Sequence, residues 1–212
     1  MTAFFKRNPP ISARIPETLT ATRASVTEEK LRNWFQEVDT FLKSEKQTDI
    51  LNHPERIFNC DESAFQICPK SNKVIGPRGE KNIYEIAKRS DKESITVAIT
   101  VGANGTLLPP FLLFSYKRLP GPLVSNVPNE WAIGKSEKGW MTGESFYEYV
   151  ANVFHPWLVK NKITFPVILF IDGHKSHLTL HLSTFCEKNK IILVALFPNA
   201  THIIQPCDVS LF

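Results

Sequence analysis

Val167–Ile171 reads Val-Ile-Leu-Phe-Ile, five apolar residues with no polar break, and it stops abruptly at Asp172-Gly173. A run this short suits a strand rather than a helix, and the lack of alternation implies burial on both faces. Such a strand belongs to the middle of a sheet with helices above and below it. The neighbouring sequence offers both. Ahead of it, Phe146, Tyr149, Val150, Val153, Phe154 and Trp157 recur at helical spacing behind a capping residue, Thr142. After it, residues 176–189 read as a helix and residues 191–197 as a second buried strand.

The upstream sequence adds antiparallel pieces. Residues 56–60 form a short strand that delivers Asp61 at its end. Residues 94–101 are β-branched and alternating, Gly102-Ala103-Asn104-Gly105 makes a turn, and residues 107–115 return as a hairpin. Pro109 and Pro110 delay the returning strand or push it to an edge. Residues 116–141, with Trp131 and Trp140, read as loop. Ser25-Val26-Thr27-Glu28 fits a capping box for a helix running to about residue 44, with Leu31, Trp34, Phe35, Val38, Phe41 and Leu42 on its apolar side. Residues 1–24, with Pro9, Pro10 and Pro16, show no period and read as an extended arm. The order predicts an α/β fold, a mixed sheet with flanking helices.

Composition narrows the function classes. Hydrophobic residues make up 42% of 212, enough for a packed core. The net charge of +4 is compatible with a nucleic-acid partner and with much else. Cys60, Cys68, Cys186 and Cys207 form no C-x-x-C pair, which argues against a zinc site. Lys6, Arg7 and two prolines follow at once on Met1 to Phe5, unlike a secretory leader, and no apolar run approaches the ~20 residues of a membrane span. Neither a phosphate-binding glycine loop nor a Gly-x-Ser-x-Gly elbow is present, so no organic cofactor and no membrane partner are expected.

Three aspartates stand where chain geometry can make them converge. Asp61 follows the first strand, Asp172 the central one, and Asp208 lies past the next strand at the mouth of a final helix. Ligands of α/β sheets bind outside the carboxyl ends of strands. Phosphodiester cleavage needs charge stabilisation at both the attacking and the leaving oxygen, and two divalent ions held by carboxylates supply it. Three carboxylates brought together without a cation repel, and one tends to protonate. A strand-end aspartate can equally cap a helix or form a turn. Glu62, next to Asp61, points to the opposite face of a continuing strand and is read as a non-ligand.

The words around these aspartates carry a resemblance. Arg56-Ile57-Phe58-Asn59-Cys60-Asp61-Glu62-Ser63, Gly102-Ala103-Asn104-Gly105-Thr106-Leu107-Leu108-Pro109-Pro110, Lys138-Gly139-Trp140-Met141-Thr142, Ile171-Asp172-Gly173-His174-Lys175-Ser176-His177 and Thr201-His202-Ile203-Ile204-Gln205-Pro206-Cys207-Asp208-Val209 resemble, in order and spacing, the pogo/Tigger/jerky group of DDE endonucleases over about residues 50–212. The resemblance implies an RNase H-like fold over residues 51–212 with its last helix cut short, and Asp61, Asp172 and Asp208 as catalytic metal ligands. It also implies Mg²⁺ or Mn²⁺ as cofactor, DNA as substrate, homo-oligomeric assembly and a nuclear setting. The implied reaction is hydrolytic nicking at transposon ends followed by strand transfer from a 3′-hydroxyl. Phe4-Phe5-Lys6-Arg7-Asn8-Pro9 resembles the tail of the family's helix-turn-helix module, so residues 1–24 read as its remnant and linker and residues 25–50 as a connecting helix. An alternative keeps the fold without the reaction: a domesticated DNA- or chromatin-binding protein, or an inactive transposon fragment.

Other residues qualify as supporting parts. His174, His177, His202 and Gln205 lie beside the second and third aspartates, as partners that orient carboxylates, as contacts to the DNA backbone, or as plain caps. Lys70, Lys73, Arg78, Lys81, Lys88 and Arg89, with Lys92, belong to a stretch holding seven basic and three acidic residues, suited to phosphates or simply to water. Trp131 and Trp140, in loop contexts, are the candidates for stacking on bases.

Overall fold

The structure is a computed structural model that describes residues 2–13, 18–67, 94–174 and 177–211. In chain order, α1 (Thr2–Arg7), α2 (Ala21–Ala24) and α3 (Glu28–Ser44) precede two 3₁₀ turns and β1 (Ile57–Gln66). Then come β2 (Ser94–Gly102), β3 (Phe111–Phe114), α4 (Gly121–Asn126), β4 (Ala132–Lys135), α5 (Gly143–Tyr149), a π turn (Val150–Phe154) and α6 (His155–Lys160). β5 (Val167–Ile171), α7 (Leu180–Lys188), β6 (Ile191–Ala195), α8 (Thr201–Ile204) and a π turn (Cys207–Leu211) complete the order. The six strands form one mixed sheet, ordered β4-β3-β2-β1-β5-β6. β1 runs antiparallel to β2 and parallel to β5, and β5 runs parallel to β6.

Alternation along the central strands sorts the side chains into two layers. Phe58, Cys60, Leu169, Ile171 and Ile191 join Phe146, Tyr149, Phe154 and Leu158 of the α5–α6 segment in the main core. On the other face, Ile168 packs with Leu42 of α3 and with Ile50, bordered by Ile57, Phe170, Ile192 and Val194. Val167, Ile168, Leu169 and Ile171 are fully buried, as an unbroken apolar strand requires. Each contributes about 1.5–3 kcal/mol by leaving water.

Several expectations are corrected. β1 does not end at Cys60; it pairs with β2 from Phe58 to Gln66, so Asp61 lies inside the strand. Continuous cross-strand pairing overrides the poor strand propensity of Asp-Glu-Ser. The 116–141 stretch is not all loop, because β4 pairs in parallel with β3 as the sheet's edge. β6 lies at the opposite edge, and only Ile191 of its five residues is buried. The helix after β5 starts at Leu180 rather than at residue 176, since Thr179 accepts the Leu182 N–H as its cap. The expected extended arm contains the helical turns α1 and α2. Between α5 and α6 the helix widens to a π turn just ahead of Pro156, which has no N–H to continue the ordinary ladder.

Ser25 does not cap α3. It ends α2, and Thr27 accepts the Lys30 N–H. Thr27→Ala should therefore lower stability by about 1 kcal/mol, and Ser25→Ala by less than about 0.5 kcal/mol. Urea denaturation of both variants checks this; the reverse ranking would restore Ser25 as the cap. Thr142 behaves as the sequence predicts, forming a reciprocal box with Ser145.

Candidate active site

The site begins where β1 and β5 part. Their parallel pairing runs Ile57↔Ile168, Phe58↔Leu169 and Asn59↔Phe170. Extended by two residues, that register sets Asp61 beside Asp172, on the face that carries Ile57 and Ile168. β5 stops at Ile171, so beyond Asn59 strand β1 keeps β2 alone as neighbour among the described residues. The fork lies at the carboxyl end of β5, with Asp61 inside β1 on one side and Asp172 just past β5 on the other.

Asp61 is 8% exposed. Burial, with the charges of Asp208, Glu62 and Asp172, pushes its carboxyl up to about 7, against a lowering hydrogen bond from the Glu62 backbone. Asp208 is exposed, at the second position of the Cys207–Leu211 turn. Asp172 and Asp208 thus both lie within electrostatic reach of Asp61.

Asp172 is held by a different set. Its Oδ1 accepts the His174 backbone N–H at 3.0 Å, and it is hydrogen-bonded to Nδ1 of His177. The other ring nitrogen of His177 lies 2.7 Å from Oε1 of Glu62. His177 is 2% exposed, with its ring against Phe146. Burial works against a charge on this imidazole, but hydrogen bonds to Asp172 and Glu62 raise its pKa to about 9. It is thus an imidazolium at neutral pH, donating to a carboxylate at each end. Burial pulls the Asp172 carboxyl up, but His177 and the His174 N–H outweigh it and hold it below its ordinary value.

Glu62 is the residue that the sequence reading set aside. It does point to the face opposite Asp61, among Phe58 and Cys60 of the main core, yet it reaches the site through His177. Strand alternation alone says nothing of a histidine more than a hundred residues away. Asn59 was also missed as a site residue: it donates to the Phe170 carbonyl and accepts the Cys207 N–H. Its alternate spacing from Asp61 was the available signal.

The remaining candidates stand as follows. His202 is half-buried on α8, and its Nδ1 has no hydrogen-bond partner among the described residues. Gln205 is buried, and its Oε1 likewise has no partner among them. Among the described residues, neither of these two atoms is hydrogen-bonded to an aspartate. Lys70, Lys73, Arg78, Lys81, Lys88, Arg89 and Lys92 lie outside the described residues. Trp131 and Trp140 are exposed, and Lys138 stands 5.9 Å from the Trp140 ring centroid.

Among the described residues, no three His, Cys, Asp or Glu side chains close on one point as a finished metal cage. The donor chemistry nevertheless fits a hard divalent cation: Asp172 and Asp208 both act on Asp61, whose carboxyl is driven toward protonation first by burial and then by the charges of Asp208, Glu62 and Asp172.

Comparison with known proteins agrees with the fold. A family model described as DDE superfamily endonuclease matches residues 92–212. The chain is similar to the Mos1 transposase paired-end complex with left transposon end, with a TM-score of 0.56 and 12% identity over 98% of this chain and 53% of that one. It is also similar to the Mos1 mariner paired end complex with Mn, at 0.53 and 14%, over 100% and 55%. At such identities the likeness is one of fold, an RNase H-like mixed sheet with flanking helices, and this chain spans about half the length of those transposases. Among curated proteins it is 26% identical over 174 residues to the MFS-type transporter clz9 of Cochliobolus lunatus, covering 81% of this chain and 19% of that protein. Among the described residues no helix is long and apolar enough to cross a membrane.

Proposed function

The chain belongs to the DDE superfamily of endonucleases, and from that membership we propose that it is the catalytic part of a transposase that nicks DNA and transfers strands. The observation that carries the reading is the pairing register that sets Asp61 beside Asp172 at the fork, with Asp208 close enough to perturb Asp61. We assign Asp61, Asp172 and Asp208 as the residues that would hold Mg²⁺ or Mn²⁺. Divalent ions so held activate the attacking oxygen and stabilise the leaving one at phosphorus. The chain's own groups divide the remaining work. Asp61, in the rigid centre of the sheet, fixes the position of the site. His177 and the His174 N–H hold Asp172 ionised and in one orientation. Asp208, on the exposed turn, is the accessible member of the three and would complete the site from its solvent side.

The motifs favour the pogo/Tigger/jerky branch, with residues 1–24 as the end of a DNA-binding module and the nucleus as the setting. DNA is the proposed substrate and a homo-oligomer the proposed assembly, in line with the neighbouring structures named as paired-end complexes. The test is nicking of supercoiled plasmid by the chain with Mn²⁺, with Mg²⁺ and with chelator. Nicking that needs the metal is expected. Retained DNA binding with no nicking under any metal would instead identify a silent, domesticated DNA-binding protein.

A further inference from the structure

We infer that Asn59 is a positioning residue that sets where Asp208 stands relative to Asp61; the inference rests on the metal-holding reading above. Asn59 is 5% exposed and precedes Asp61 by two residues on the same face of β1. Its Nδ2 donates to the Phe170 carbonyl at 3.1 Å, and its Oδ1 accepts the Cys207 N–H at 3.2 Å. One carboxamide therefore joins three segments: the strand that carries Asp61, the end of the strand before Asp172, and the turn that carries Asp208. The Cys207 thiol adds long contacts to the carbonyls of Asn59 and Ile99, at 3.9 and 4.0 Å. Ile99 is the cross-strand partner of Asp61, so this turn touches β2 at the position paired with the first aspartate.

The chemistry selects asparagine. The position requires a donor and an acceptor on one short planar group; aspartate lacks the donor and leucine lacks both. The approach of Cys207 is prepared by Pro206. The residue before a proline is driven out of helical geometry, and Gln205 accordingly is extended at φ −90 and ψ 110, ending α8 and turning the chain toward the sheet. The brace is sheltered, since Asn59 borders a cleft of about 230 Å³ whose walls include Trp34, Phe58, Phe170, Ile204 and Pro206. In an apolar cleft an unmade amide bond is costly, so the carboxamide has one favoured arrangement.

Two readouts test this on the chain: labelling of Cys207 by a thiol reagent without metal, mapped by mass spectrometry, and half-saturation by Mn²⁺ followed by electron paramagnetic resonance. Cys207 is fully buried. In Asn59→Ala it should label roughly 10-fold faster, and half-saturating Mn²⁺ should rise roughly 10-fold. Asn59→Asp, which keeps the acceptor for the Cys207 N–H but loses the donor to the Phe170 carbonyl, should label at a rate between those of the parent and Asn59→Ala. Unchanged labelling in Asn59→Ala overturns the inference. So does faster labelling with an unchanged Mn²⁺ midpoint, because a merely structural brace lowers stability without moving that midpoint. Where Asn59→Ala does not fold, amide exchange in the parent chain decides: a slow Cys207 N–H supports the brace and a freely exchanging one overturns it. A folded parent that binds no Mn²⁺ refutes the metal-holding reading instead, and the labelling comparison then judges the brace alone.

Discussion

Asp172→Asn lowers metal-dependent nicking by roughly 10³-fold, the upper end of what removal of one preorganised electrostatic group costs. The substitution keeps size and shape and removes charge, so a hard cation loses an anionic ligand while β5 and its packing stay as they are. It also alters the clamp around His177, which then donates to one carboxylate, Glu62, instead of two. The imidazolium loses part of its support, and stability should fall by about 1–3 kcal/mol. Nicking rates with Mn²⁺, read beside circular dichroism to verify the fold, separate the two effects. A folded Asp172→Asn chain that nicks within a few-fold of the parent would remove Asp172 from the metal site.

The second large effect is in the pH dependence of the metal-free chain. The Asp61 carboxyl is raised in the folded protein to about 7 from an ordinary 3.8. Between those values the folded state holds a proton that the unfolded state has released. Stability from this group is therefore greatest below pH 4, declines as pH rises toward 7, and is level beyond. His177 has the opposite character: its contribution is fully present below its ordinary 6.5 and is lost as pH climbs through about 9. The clean window is pH 4 to about 6, below the ordinary 6.5 of the unfolded imidazole, where His177 is largely charged in both states. Across it, Asp61 should cost the parent on the order of 3 kcal/mol. Asp61→Asn should abolish that decline, as measured by urea denaturation in chelator. Parallel pH profiles for parent and variant would mean that neither burial nor the neighbouring carboxylates hold a proton on Asp61.

Much of this arrangement was legible in the sequence. The apolar run of β5 announced a doubly covered strand, and the Thr142 cap and the helix ending at Ser44 followed from local chemistry. The motif words supplied the superfamily, and they nominated the three aspartates proposed to hold metal. What escaped the sequence was set by partners distant along the chain. β1 extends past Asp61 because β2 pairs with it throughout, which local propensity opposes. β4 is a four-residue edge strand that among the described residues pairs with β3 alone, and its Ala-Ile-Gly-Lys carries no alternating pattern. Glu62 was set aside on correct alternation and enters the site through a histidine 115 positions away. Asn59 and Cys207 meet across 148 positions through one backbone N–H, a contact that no spacing rule encodes.

Mn²⁺ titration of the folded chain, with thermal stability as the readout and Asp61→Ala as the companion, bears most directly on whether this crevice holds a divalent ion. A ligand present at a hundredfold over its dissociation constant stabilises by about 2.7 kcal/mol, well within reach of such an assay. The expected result is a saturable rise in the unfolding temperature of the parent that is absent from Asp61→Ala. A folded parent with no response, or an equal response in the variant, would contradict a metal site built on Asp61, Asp172 and Asp208.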